Sequence, residues 1–151
     1  MNTRQILDAV EYAKAGASIQ MMSSLLGISD YSSRKIAESV QTGRATEHTK
    51  LRPTFLNSPT VRLEAMLWLS VVRRMESGRC RDWLLSAYRT YCSLSSKPMS
   101  INHCYGICRA VTKGDFFWAK CEVSGVTFVT GTSQLFQSPF IQKDVGTNDG
   151  Y

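Results

Sequence analysis

Residues 59–77 read PTVRLEAMLWLSVVRRMES, and no polar face can be drawn on them. At 3.6 residues per turn, Val61, Leu63, Met66, Leu67, Trp68, Leu69, Val71 and Val72 fall on nearly every side of a helix. A chain carrying such a helix must wrap its other elements around it or share it with another subunit. Ser58 supplies an N-cap and Pro59 suits a first helical position, while Gly78 is placed to stop the helix. The longest apolar stretch inside it, AMLWLSVV from Ala65 to Val72, is far too short to span a bilayer.

The remaining pattern is also helical. Ile6, Ala9, Val10, Ala13 and Ala17 form one apolar stripe that Gly16 ends or bends. Ile19, Met22, Leu25 and Leu26 begin a short second helix that stops at Gly27. A third runs from about Asp30 to Gln41, with Gly43 just beyond it. The stretch GRATEHTKLRPTFLNS, 43–58, lacks periodicity and reads as an extended connector. A further helix covers roughly Arg79 to Leu94, and Ser95-Ser96-Lys97-Pro98 breaks it. Ile101, Cys104, Tyr105, Cys108 and Val111 mark a last long helix that closes near Lys113-Gly114. Beyond it, FFWAKCEV and VTFVT flank Ser124-Gly125 as a small β-hairpin. The expected architecture is mainly α: a helical domain over 1–114, a β-rich appendage over 115–141 and a flexible tail over 142–151.

Charge narrows the partner class. Eighteen Lys and Arg stand against twelve Asp and Glu, a formal net charge of +6. Such an excess favours a polyanion, either nucleic acid or an acidic protein surface. With 43% hydrophobic residues the chain can also bury a core, which excludes wholesale disorder. Five cysteines form no CxxC pair, and MNTRQILDAVEYAKAG lacks the apolar core of a signal peptide. Both point to free thiols in a reducing, cytoplasmic compartment with no membrane association.

Residues 18–42 carry the sharpest functional pattern. A helix-turn-helix needs two short helices and a turn residue that accepts a left-handed backbone, and Gly27 provides it. Met22, Leu26, Ile28 and Ile36 sit at offsets that pack two such helices together. Ser29 can cap the second helix, and Asp30 suits its positive end. Tyr31, Ser32, Ser33, Arg34 and Lys35 then offer hydroxyls and charges to phosphates and base edges. Ser23 stands where a small apolar residue is usual, and Ser33 where an aliphatic one is common. A plain helical hairpin with Gly27 as C-cap fits the same pattern.

An ordered series of stretches resembles the FlhC family, the C subunit of the bacterial flagellar master activator, with relatives on conjugative elements. The matching residues are Gly16-Ala17, Ser33-Arg34-Lys35-Ile36, Leu51-Arg52-Pro53 and Ala87-Tyr88-Arg89-Thr90-Tyr91. The likeness continues through Ile101–Val111 into CEVSGVTFVT and covers about residues 5–130. It implies a hetero-oligomer with a small, all-helical FlhD-like subunit that binds double-stranded promoter DNA and activates transcription with RNA polymerase. It also implies a zinc module built from two CxxC pairs. Here the first pair reads Cys121-Glu122-Val123-Ser124, and QSPFIQK, where the second should fall, has no cysteine. One thiol cannot close a tetrahedral site, so no zinc or other cofactor is expected. Phe116, Phe117, Trp118, Val126 and Phe128 are expected to hold the hairpin instead.

The remaining candidates are weaker. Cys104 and Cys108 share a helical face with Ile101 and Tyr105 and read as core, whereas His103 falls off that stripe and reads as solvated. No GxxxxGK[ST], HExxH or GxSxG motif and no catalytic constellation is present, so no enzyme is expected and no catalytic or metal residue is assigned. Arg73, Arg74, Arg79 and Arg81 bracket a helix C-terminus and suit its dipole. The expected DNA-binding set is Ser32 and Ser33 at base edges, with Arg34, Lys35, Arg44, Lys50 and Arg52 on phosphates. Two alternatives stay open: a protein-interaction subunit with little DNA contact, and a stand-alone helix-turn-helix repressor.

Overall fold

The computed structural model describes residues 2–76, 83–120, 123–125 and 127–131. It is mainly helical: α1 (Thr3–Lys14), α2 (Ile19–Leu26), α3 (Asp30–Val40), α4 (Pro59–Glu76), α5 (Trp83–Leu94) and α6 (Ile101–Lys113). A two-stranded antiparallel hairpin follows, β1 (Phe116–Lys120) and β2 (Thr127–Gly131), with Trp118 opposite Val129. The expected helix stop Gly78, the dipole-facing Arg79 and Arg81, the lone thiol Cys121, the hairpin residue Val126 and the expected tail over 142–151 lie outside the described residues.

Local chemistry sets the helix ends. The Asn2 side chain accepts from the Gln5 N–H while Gln5 reaches back to the Asn2 N–H, a reciprocal capping box that opens α1. Ser18, Ser29 and Ser100 each accept a backbone N–H three residues on, opening α2, α3 and α6. Gly27 and Gly114 close α2 and α6 in the left-handed region. At the end of α3 the left-handed residue is Gln41 (φ 59°), within one residue of the expected end, so the cap is Gln41 itself and not a glycine.

The interior forms around Trp68 of α4, which is wholly buried. Its Nε1 donates to the Cys104 carbonyl of α6 at 2.8 Å, and the rings of Tyr88 and Tyr91 on α5 meet it edge-on. Tyr91 in turn donates to Glu64 at 2.6 Å and accepts the Met99 N–H at 2.9 Å, which locks the α5–α6 loop onto α4. α4 is less uniformly apolar in its surroundings than its sequence suggests. Leu63, Ser70 and Arg74 run along one exposed stripe, and Arg62 is buried, where desolvation lowers its guanidinium pKa.

The hairpin closes the same core. Phe116 and Val129 are buried with it, as is Phe128, and β2 packs on α4 while β1 packs on α6. The stretch 43–58 also departs from a simple extended connector. Pro53–Asn57 winds into a 3₁₀ turn, because it delivers Leu56, wholly buried, between α4 and β2.

Candidate nucleic-acid interface

α1, α2 and α3 pack on one another at the amino end. α2 and α3 are joined by Gly27, Ile28 and Ser29, with Gly27 at φ 69° and Ile28 buried beneath the turn. Ser23 and Ser33, the two residues that departed from the helix-turn-helix pattern, face each other across this joint. Their hydroxyl oxygens lie 3.2 Å apart, and the Ser23 Oγ donates to Asp30 at 2.6 Å. A polar seam therefore replaces the expected apolar one.

That seam corrects one site assignment. Ser33 is wholly buried and points at α2, so it cannot approach a base edge. Ser32 is half-buried in the first turn of α3. Arg34 and Lys35 do lie on the exposed side, where the Lys35 ammonium sits 5.5 Å from the centre of the Tyr31 ring.

The other cations of the set are not all together. Arg44 lays its methylene stem over Gly16 and turns its guanidinium to Glu47, 3.6 Å away. Arg52 is exposed at the start of the 3₁₀ turn. Arg34 and Lys50 line two adjoining hollows that share Gln20 and Ser24 of α2. The first, about 470 Å³, has Arg34 and His48 on its walls together with Asp30 and Glu47. The second, about 250 Å³, has Lys50 on one wall and Arg109 and Lys113 of α6 on the other.

The connector reaches α6 because of two contacts that sequence spacing does not announce. Gln20 accepts both the N–H and the hydroxyl of Thr49, at 2.8 and 3.0 Å. Gly106 then lets the Thr49 carbonyl approach so closely that any Cβ at 106 would collide with it. Arg109 is held on the far wall, its Nη1 donating to Ser24 at 2.6 Å and to the Tyr105 hydroxyl at 3.1 Å. Arg109 and Lys113 are the residues that reading the sequence missed. Their spacing of four, three and seven residues after Gly106, is the signal that would have placed all three on one side of α6.

A buried amide anchors this assembly. Asn102 is wholly buried at the start of α6; its Oδ1 accepts the Ser18 N–H at 2.7 Å, and its Nδ2 donates to the Gly16 carbonyl at 2.9 Å and to Glu47 at 2.7 Å. Burial by itself would raise the Glu47 pKa. Hydrogen bonds from Asn102 and Ser100 and the charges of His103 and Arg44 outweigh it and hold the carboxyl below its ordinary value. His103, expected to be solvated, is half-buried. Its Nε2 lies 3.4 Å from Glu47, and its ring meets Phe55 edge-on at 5.1 Å.

Cys104 is buried core, and desolvation pushes its thiol pKa up. Of the stretches where the resemblance places zinc ligands, Cys121 and QSPFIQK lie outside the described residues. Ser124, exposed in the hairpin turn, stands where a thiolate is needed, and no group of three His, Cys, Asp or Glu converges among the described residues. No helix among the described residues is long and apolar enough to cross a membrane. No protein-family model matches the chain, and no curated protein matches it.

Proposed function

We propose that this chain is a DNA-binding subunit of a heteromeric transcriptional activator of the FlhC type, working beside a small helical partner and RNA polymerase. The observation that carries the reading is the α2–Gly27–α3 joint. It buries Ser33 and Ala37 on one side of α3 and leaves Arg34 and Lys35 on the other, the division that a helix laid against a duplex requires. The basic excess of the whole chain and the resemblance in ordered stretches support the same reading. Each phosphate neutralised would add about 0.9 to the slope of log affinity against log salt.

The test is a salt titration of the chain on a labelled mixed-sequence duplex, with and without an FlhD-like helical subunit. Arg34→Ala combined with Lys35→Ala is expected to flatten the slope by roughly 1.8, about sixtyfold in affinity at ~0.1 M salt. Co-purification with the helical subunit should survive. Unchanged affinity in the double variant would remove the joint from the site.

One observation favours the second reading, an interaction subunit with little DNA contact. Ile6 and Leu7, neighbours on α1, are 41% and 57% exposed on a helix whose Ala9, Tyr12 and Ala13 are buried. Alanine at both positions would then abolish capture of the helical subunit while leaving duplex affinity unchanged.

A further inference from the structure

The hollow between the connector and α6 carries more net positive charge than the face of α3. Three cations, Lys50, Arg109 and Lys113, line it against one carboxylate, Asp115, whereas the hollow beside α3 sets Arg34 against Asp30 and Glu47. Two of these three cations come from α6, an element with no place in a helix-turn-helix. We infer that this hollow is a seat for a backbone phosphate of the nucleic acid, with α6 supplying an electrostatic contact that a helix-turn-helix does not provide.

Three features of the hollow suit it to an anion. Arg109 is pre-organised: its Nη1 is held by Ser24 and Tyr105, and its guanidinium carbon lies 5.7 Å from the Tyr105 ring centre. Lys113 follows one turn later on the same helix. The close approach of Thr49 to Gly106 holds Lys50 on the opposite wall. Charges brought together by the fold, and not by adjacency in sequence, sit in a concave site of about 250 Å³ where their fields add. Because the hollow shares Gln20 and Ser24 with the one beside Arg34, a strand lying along the outer side of α2 would meet both.

The inference rests on the nucleic-acid reading, and its test separates the two. Fluorescence anisotropy of a labelled mixed-sequence duplex is measured with the full chain across a salt series. The series is run with the chain alone and with the helical subunit added, on a mixed-sequence duplex because phosphate contact does not depend on base sequence. Lys50 and Lys113 are exposed, so Lys50→Ala with Lys113→Ala removes charge without opening the core. The expected loss is about sixtyfold at ~0.1 M salt, with the slope flattened by about 1.8. Asp115→Asn removes the opposing charge and is expected to tighten binding several-fold, a gain that misfolding cannot produce.

Normal affinity in the Lys50/Lys113 variant, beside a loss in the Arg34/Lys35 variant, overturns the inference and leaves the nucleic-acid reading standing. The reverse pattern supports the inference and withdraws α3 from the site. If the native chain binds no duplex even at low salt, alone or with the helical subunit, both fall.

Discussion

Asn102 is a small residue with a large share of the structure's connectivity. Its amide satisfies the Ser18 N–H, the Gly16 carbonyl and the Glu47 carboxylate, groups that belong to the α1–α2 joint and to the connector. Alanine at 102 would strip those groups of their hydrogen-bond partner, and each unsatisfied buried group costs about 1–3 kcal/mol. Asn102→Ala should therefore lower stability by about 3 kcal/mol, on the order of 10 °C in Tm, in a calorimetric or circular-dichroism melt. A loss below about 1 kcal/mol would mean that the joint is held by other contacts. Residues of this kind are hard to read from sequence. Asn102 falls beside the apolar stripe of α6, and nothing local says that its partners are 84, 86 and 55 residues away.

The elements themselves were largely legible. Serine caps, the glycine stops at 27 and 114, and the apolar stripes are short-range features, and they place α1, α2, α3 and α6 within a few residues of where they lie. Side-chain facing was less so. Ser33 looked like a base-contacting residue because its hydroxyl is polar, yet the helical period turns it inward to meet Ser23. Arg109 and Lys113 escaped notice because their role needs the connector beside them, a tertiary fact.

Two glycines separate these levels of information. A Cβ at Gly27 meets open space, so Gly27→Ala costs only the left-handed backbone, about 1 kcal/mol. At Gly106 the backbone is helical and alanine is locally favoured, yet its methyl would strike the Thr49 carbonyl. Gly106→Ala should therefore be the costlier change, about 2–3 kcal/mol in urea unfolding. Equal costs would show that the connector yields easily.

Over the whole molecule, the amino-terminal helices and the α4–α6 core are tied by polar contacts as well as apolar packing, with Glu47 in the middle. This gives stability a particular pH dependence. The Glu47 carboxyl has a folded-state pKa below its ordinary value of 4.5, so the native state favours the charged form. Its contribution is complete above that ordinary value and fades as pH falls through the lower, folded one. Unfolding free energies from pH 7 downward should therefore drop more steeply at the acid end for the native chain than for Glu47→Gln. Parallel curves would show that the carboxylate is not an ionic anchor.

At Gly106 the seam between the connector and α6 is sealed by a main-chain carbonyl against a missing side chain. At that point the route of the connector is set by atoms that every amino acid possesses. A lysine at position 50 could become glutamate, glutamine or arginine while the backbone kept its course. Mutation could accordingly recast the polarity of that trench one letter at a time, adapting what the molecule grips without redrawing its scaffold.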